Sequence, residues 1–395
     1  MSKPPRPTKD IFDAEGRALR HKGLRRANEK TVLRVVGFNS GVSNAEISRL
    51  SGLAPQTVSA ILTNLEAEGL VERGPALRGR RGQPATPILL NKNGGYAIGV
   101  ELGWRHTDVI LLNMHAEVLG HRRLDYDYPD AATIFDQIGT FVLELSGLLP
   151  ADKLVRLLDF GLAMPSGMPA GLDRLGAPEA ISARWRNVDA QAEMAARTGV
   201  DVSVLNDGNA ACWAELIAMP PPRPANIIYF LVSHLVAAGM VGDGVLWRGP
   251  TGNAANLGSM LVQLDGNGPK QVHAIASLRA LGEALDRAGK SQSGAAWADW
   301  DWPGIAPEVE CWIGDSARAL ARTVVNATTV IEAPLVIIDS VIDRAITERL
   351  VERVKAEIDQ LPVRGLQLPQ VMVGRYGAMA PAVGAAELPM FNRYF

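Results

Sequence analysis

The chain has 395 residues, 47% of them hydrophobic, with 40 Lys and Arg against 42 Asp and Glu. That length predicts two or three domains with substantial cores. Two cysteines, Cys212 and Cys311, exclude a disulfide framework and a cysteine-built structural zinc site, and the lack of an 18-residue apolar run or an apolar N-terminal core predicts a soluble, cytoplasmic protein with no membrane contact.

The balanced total hides an asymmetry. Residues 1–90 carry 15 Lys and Arg against 8 Asp and Glu, a net +7, which leaves −9 for the rest. A basic head is the electrostatic footprint of a phosphate binder, whereas an acidic body is repelled by nucleic acid.

Residues 1–20 are polar, basic and proline-bearing, and predict a flexible tail. In residues 28–38 (NEKTVLRVVGF), Val32, Leu33 and Val36 share one side of a helix. Ser43 with Glu46 three residues on is a capping box, so a second helix starts at Asn44, with Ala45, Ile47 and Leu50 as its apolar face. Gly52 permits a sharp turn and Pro55 suits the first position of a third helix. Val58, Ile61, Leu62 and Leu65 recur at helical spacing and should pack on the second helix. Gln56, Thr57, Ser59, Ala60 and Thr63 are left facing outward; none is acidic, which suits a helix lying against base edges and phosphates.

Residues 69–73 and 86–90 read as two strands around Arg78-Gly79-Arg80-Arg81-Gly82, a wing whose arginines can enter a narrow minor groove. A winged helix-turn-helix over residues 21–90 is therefore expected, with Gln56, Thr57, Ser59, Thr63, Arg78, Arg80 and Arg81 as its DNA contacts. An ordinary helical hairpin with a solvated basic loop is the plainer alternative.

The body alternates strands and helices. Strands are expected at 97–102, 108–114, 157–163 and 202–205, with 115–119 turning into a further one, and helices at 132–148 and 210–218. The first helix turns Ile134, Phe135, Ile138, Phe141, Val142 and Leu145 inward. A second cycle follows: a strand at 226–232, a hairpin of 237–241 with 245–247, helices at 277–288, 312–331 and 344–361, and a strand at 334–339. Hairpins followed by helices, twice over, predict two related lobes with a cleft between them.

This order of parts resembles the ROK family (repressors, open reading frames and kinases) over nearly the whole chain from about Asn28. Residues 161–187 (GLAMPSGMPAGLDRLGAPEAISARWRN) resemble the family's proline-glycine turn and downstream tryptophan, here Trp185. Residues 205–215 (LNDGNAACWAE) resemble its asparagine-aspartate segment, residues 249–259 (GPTGNAANLGS) its glycine-rich segment, and residues 382–386 (AVGAA) its C-terminal helix. The resemblance implies an α/β chain with an N-terminal α+β winged helix and a body of the actin-like, ribonuclease-H-like two-lobed ATPase fold. It divides the body into a first lobe of 91–215 plus 375–395 and a second of 216–374.

The departures from the family pattern are informative. An active family kinase has a phosphate loop near residues 101–108; here the second glycine falls on Trp104, which should block close backbone approach to a phosphate. The second phosphate segment reads Ser233-His234-Leu235-Val236-Ala237 instead of being glycine- and threonine-rich. The glycine pair that flanks the nucleotide reads Asp339-Ser340, placing a negative charge there. The family's zinc histidine falls on Ser259, and residues 259–277 contain no cysteine, so no metal is expected and His273, without partner ligands for zinc, reads as an ordinary polar residue.

By the same resemblance, Asn206 and Asp207 stand where the family holds sugar hydroxyls, and Asn256 and Ser259 replace its glutamate and histidine, with Gly167 and Asn253 lining the cleft. Asp207 also suits an N-cap for a helix at 209–218. Trp297, Trp300, Trp302 and Trp312 suit sugar stacking or, more plainly, core or interface packing. The expectation is a DNA-binding regulator without cofactors, a homodimer or homotetramer whose catalytically dead body senses a carbohydrate, bulkier or more acidic than glucose. A sugar kinase with an added DNA-binding head, and a regulator whose body is only a scaffold, are the alternatives.

Overall fold

The structure is a computed structural model that describes residues 21–39, 41–75, 86–220, 222–264, 266, 268–292 and 297–395. Arg78, Arg80 and Arg81 of the expected wing lie outside the described residues. The chain divides into two compact units, one of residues 1–89 with 394–395, the other of residues 90–393.

In the first unit, α1 (His21–Phe38), α2 (Asn44–Ser51) and α3 (Pro55–Ala67) precede β1 (Val71–Arg73) and β2 (Ile88–Leu90), which pair with each other. The capping box is formed in both directions: Ser43 Oγ accepts from Glu46 N, and Glu46 Oε2 accepts from Ser43 N at 2.8 Å. Gly52 ends α2 in the left-handed region at φ 71°. Val32, Leu33, Val36, Ile47, Val58, Ile61, Leu62 and Leu65 are all buried and form the core between the three helices. The α2 face is narrower than its sequence predicts, since Ala45 and Leu50 are exposed; Ile47 alone is buried on that helix. An eight-residue helix offers two turns, so one large side chain suffices to seat it.

The second unit contains two five-stranded sheets with the same plan. The first is built from β3 (Tyr96–Leu102), β4 (His106–Asn113), β5 (Val118–Asp125), β6 (Leu157–Met164) and β7 (Ser203–Asn206), in the order β5-β4-β3-β6-β7. Strands β5, β4 and β3 run antiparallel, and β6 and β7 continue parallel to β3. Helices α4 (Ile134–Ser146), α5 (Ala151–Leu154), α6 (Met168–Arg174), α7 (Glu179–Arg184) and α8 (Ala190–Thr198) fall within it. The second sheet joins β8 (Ile227–Val232), β9 (Val236–Gly242), β10 (Val245–Leu246), β13 (Leu335–Ser340) and β14 (Gln370–Val373) in the order β10-β9-β8-β13-β14, with the same change from antiparallel to parallel. With it come α10 (His273–Ala276), α11 (Leu278–Arg287), α12 (Ala306–Ile331) and α13 (Arg344–Gln360), and a small ribbon of β11 (Leu261–Val262) with β12 (Lys270–Gln271).

The central strands are apolar on both faces because both are covered, as buried β8 and β13 show. Between the sheets run α9 (Asp207–Ala218) and α14 (Ala380–Tyr394). At their closest point the two backbones touch, while further along Trp213 of α9 packs edge-on against Phe391 of α14 at 4.8 Å. A Cβ on Gly384 would fall 1.7 Å from the Ala210 carbonyl oxygen. Cβ atoms on Gly99 and Gly161 would meet the carbonyl oxygens of Ala382 at 2.0 Å and Ala385 at 1.8 Å. On the other side, a Cβ on Gly208 would meet the Ala238 oxygen at 2.2 Å. Sheet, helix, helix and sheet are thus in backbone-to-backbone contact, which only glycine at these four positions permits. Among the described residues no helix is long and apolar enough to cross a membrane.

Candidate DNA-contact helix and ligand cleft

Helix α3 begins at Pro55, which tolerates the first helical position because its missing N–H would lack a partner there. Gln56 and Thr57 follow in the first turn, both exposed, with Ala60 and Thr63 exposed further along. Their opposite face holds the buried Val58, Ile61, Leu62 and Leu65. Two of the expected contacts are partly occupied within the domain. Ser59 Oγ accepts from Asn44 Nδ2 at 2.8 Å, tying α3 to α2, and Thr63 Oγ1 donates to the Ser59 carbonyl at 3.0 Å. Gln56 and Thr57 therefore offer the freest hydrogen-bonding groups of the four. The strands behind the helix are held by Gly74 N donating to Pro87 O at 2.8 Å and by an isolated bridge between Val42 and Ile88.

In the second unit, the residues expected to hold a sugar converge on one cavity of about 200 Å³: Gly167, Asn206, Asp207, Asn253, Asn256 and Ser259 all line it. Strand β7 delivers Asn206 and α9 starts at Asp207. The helix cap is one residue earlier than the sequence suggests. Asn206 Oδ1 accepts from Asn209 N at 3.2 Å, so Asn206 is the N-cap, while Asp207 Oδ1 accepts from Gly208 N at 2.8 Å. Asn206 also donates to Ser166 Oγ at 3.2 Å. Burial raises the Asp207 carboxyl to about 7, against the pull of the Gly208 N–H. Near neutral pH this group can donate as well as accept.

His273, which has no cysteine beside it to share a metal, is buried and hydrogen-bonded. Its Nδ1 accepts from Val236 N at 3.0 Å, its Nε2 lies 3.3 Å from Ser259 Oγ, and it lines the same cavity. Burial, with Arg174 nearby, lowers its pKa to about 4, so it is neutral. With Nδ1 accepting, the ring proton sits on Nε2 and points at Ser259. The Ser259 hydroxyl then accepts from His273 and keeps its own proton for a ligand. The approach is close: a Cβ on the intervening Gly258 would fall 2.2 Å from His273 Cε1. Sequence reasoning also missed Arg174 and Ser166 as cavity residues; neither carries a local signal, since their role comes only from convergence in space.

The segments where the family pattern places phosphate contacts are arranged differently from expectation. The Trp104 indole is buried and packs down on α6, where a Cβ on Gly171 would come within 2.0 Å of its Cη2, and it forms part of the sugar cavity wall. It is the next residue, Arg105, that meets the second phosphate segment: its Nε donates to His234 Nε2 at 3.1 Å. Arg105 also donates to the Asp127 carbonyl and lies 4.3 Å from the Tyr128 ring centroid. The His234 ring packs on Trp297 at 4.3 Å, and burial holds its pKa well below the ordinary value, which keeps Nε2 an acceptor. Asp339 does not turn a charge toward a ligand. It is buried, accepts from Gly377 N at 2.7 Å and Ser340 N at 3.0 Å, and burial raises it to about 6.

All four tryptophans pack in or against one hydrophobic cluster beside the second sheet. Trp297, Trp300 and Trp302 form a chain of ring contacts at 4.7 and 5.2 Å, and Trp312 Nε1 donates to the Ser277 carbonyl at 3.1 Å. Among the described residues, Glu101, His106 and Asp108 bring ligand-type atoms within 4.8 Å of one another. Asp108 already receives Arg123 at 2.9 Å and His121 at 2.7 Å, so the group reads as a buried ion network on one face of the first sheet. The family's zinc does not fit this chain: one of the two cysteines is buried in α9, the other is exposed on α12, and the segment 259–277 supplies none.

Two sheets of identical plan, joined by two crossing helices with a polar cavity at the start of one, define an actin-like sugar-kinase body, here preceded by a winged helix. The chain belongs to the ROK family, whose model matches residues 97–390, and a MarR family model matches residues 22–82. The uncharacterized protein y4fQ of Sinorhizobium fredii is 26% identical over 93% of this chain and 92% of its own length. The xylose repressor of Bacillus subtilis is 26% identical over 62% of this chain and 63% of its own, so the match spans under two thirds of that repressor. Among solved structures, a ROK family transcriptional regulator described as a homolog of the E. coli MLC protein superposes with a TM-score of 0.70 at 20% identity, covering 94% of this chain and 98% of that one. A Streptomyces griseus ROK glucokinase in complex with glucose and AMPPNP gives 0.59 at 21% identity over 75% of this chain and 99% of its own. The family thus includes both regulators and kinases.

Proposed function

We propose that this protein is a sequence-specific DNA-binding repressor of carbohydrate genes whose body senses a sugar and has lost kinase activity. The observation that carries the reading is the pairing, in one chain, of an outward Gln56 and Thr57 on α3 with a sugar-type cavity, while the two segments where the family pattern places phosphate contacts are tied to each other by Arg105 and His234. Phosphoryl transfer depends on positioning and neutralising phosphate charge, and here the facing segments bond to each other instead. The repressor names among its relatives support the reading.

It acts in the cytoplasm as a homodimer or homotetramer, with lobes of 91–215 plus 375–395 and 216–374. Asn206, Asp207, Asn253, Asn256, Ser259 and Gly167 contact the effector; Gln56, Thr57, Ser59, Thr63 and the wing arginines Arg78, Arg80 and Arg81 contact the operator. Effector binding changes the cleft and with it the spacing of the DNA-binding heads, which requires unequal affinity for the two states. A thermal-shift screen against sugars, paired with gel shifts on DNA upstream of the gene, tests it. A sugar that raises the melting temperature and releases DNA is the expected result; a coupled kinase assay with sustained turnover overturns the loss of activity.

A further inference from the structure

We infer that the cleft selects an anionic monosaccharide and that Arg174 holds its ionised group, an inference that rests on the sugar-sensing reading of the same cavity. Arg174 ends α6 and lines the cavity with Asn206, Asp207, Asn256, Ser259 and His273. Other arginines of the first sheet's helices and strands are paired: Arg122 with Glu144 at 2.7 Å, Arg184 with Asp130, and Arg197 with Asp136 at 2.6 Å. Among the described residues the Arg174 side chain has neither an ion pair nor a hydrogen bond. The other titratable groups on the wall do not oppose it. His273 is neutral, fixed by Val236 N on one side and Ser259 on the other, and Asp207 is partly protonated near neutral pH.

Arg174 is therefore the cavity residue whose charge persists at any physiological pH. A neutral sugar leaves its guanidinium to water. A carboxylate or phosphate on the sugar rim gains a fork of charge-assisted hydrogen bonds, while Asn206, Asp207 and Ser259 remain available to ring hydroxyls. Carboxylate and phosphate share this chemistry, and direct binding separates them.

The test is isothermal titration of the full chain with glucose, galactose and xylose, with glucuronate and galacturonate, and with the hexose 6-phosphates. An acid or a phosphate should bind about ten- to a hundredfold tighter than its neutral parent. Arg174→Gln should erase that preference, bringing the anions down to the affinity of their neutral parents, and Arg174→Lys should keep part of it. Neutral sugars binding as tightly as the anions, or a preference that survives Arg174→Gln, overturns the inference and leaves sugar sensing standing. If no member of the panel binds, sugar sensing itself is overturned, and the inference with it.

Discussion

The Trp104 indole and Gly171 are in mutual contact so close that a methyl group on Gly171 would fall 2.0 Å from Cη2. Gly171→Ala forces the indole aside and should cost about 1–3 kcal/mol. Trp104→Ala leaves a cavity and should cost about 3–5 kcal/mol. In the double variant the first cost should largely vanish, because the methyl then enters the space the indole left. Urea unfolding of the four proteins checks this, and additive costs would show that the two residues do not share the space.

Gln56 is exposed in the first turn of α3 and suits a bidentate contact with adenine. Gln56→Ala should lose about 1–3 kcal/mol of discrimination at one base pair and little elsewhere. Arg80→Ala and Arg81→Ala should weaken binding at AT-rich flanks and flatten the salt dependence. Competition gel shifts at several salt concentrations separate the two effects. Unchanged salt slopes in the arginine variants would remove the minor-groove role.

Asp207 ties stability to pH. Its folded pKa of about 7 lies above the ordinary value of 3.8, so folding favours the protonated form. Stability present below pH 4 is lost as pH rises toward 7 and is level above it, by about 1.4 kcal/mol per pH unit at most. Asp207→Asn removes the loss, so the variant should gain on the parent between pH 5 and pH 8, as read by urea midpoints. A parent and variant with parallel profiles would contradict this. Asp207→Ala should abolish the effector response and keep DNA binding, giving a repressor that cannot be induced.

Ser43 caps α2 in both directions of the capping box. Ser43→Ala should cost about 1 kcal/mol. Because α2 supports α3, the loss should also lower DNA affinity, measurable by comparing gel shifts at 15 °C and 37 °C. An affinity unaffected at both temperatures would mean that α3 holds its position without the cap.

Chemical silence is the remaining expectation: no tight ATP binding and no hexose phosphorylation. Arg105 and His234 bond to each other, and Asp339 is enclosed by backbone donors. Appreciable turnover in a coupled assay overturns it.

The legible parts of this molecule were those specified locally. The Ser43–Glu46 box, the Gly52 turn and Pro55 act within a few residues, so they stand in the sequence as they stand in the structure. Short elements were harder to see. Helices α6, α7 and α8 have seven, six and nine residues, α6 with a proline and a glycine inside it, and give too little periodicity. Strand β14 has four residues and half-buried character. The Asp207 cap slipped by one residue because both Asn206 and Asp207 are good caps, and backbone geometry decides between them. Arg174 and His273 join the cavity only through the convergence of α6 and α10 on it, which no sequence spacing encodes.

The glycine crossing at the centre of the body leaves little mechanical play. Asp207 sits one residue from Gly208, whose backbone rests on the Ala238 carbonyl of β9, and three residues from Ala210, whose carbonyl rests under Gly384 of α14. Elsewhere in a protein a displaced side chain can absorb a small shift by changing rotamer, but at these glycines there is none to change. A shift of this carboxylate therefore bears on both sheets through backbone contacts alone, as in a gear train with little backlash. An alanine at Gly208 or Gly384 would act as a fixed spacer, setting the two halves at an angle that ligand could no longer alter.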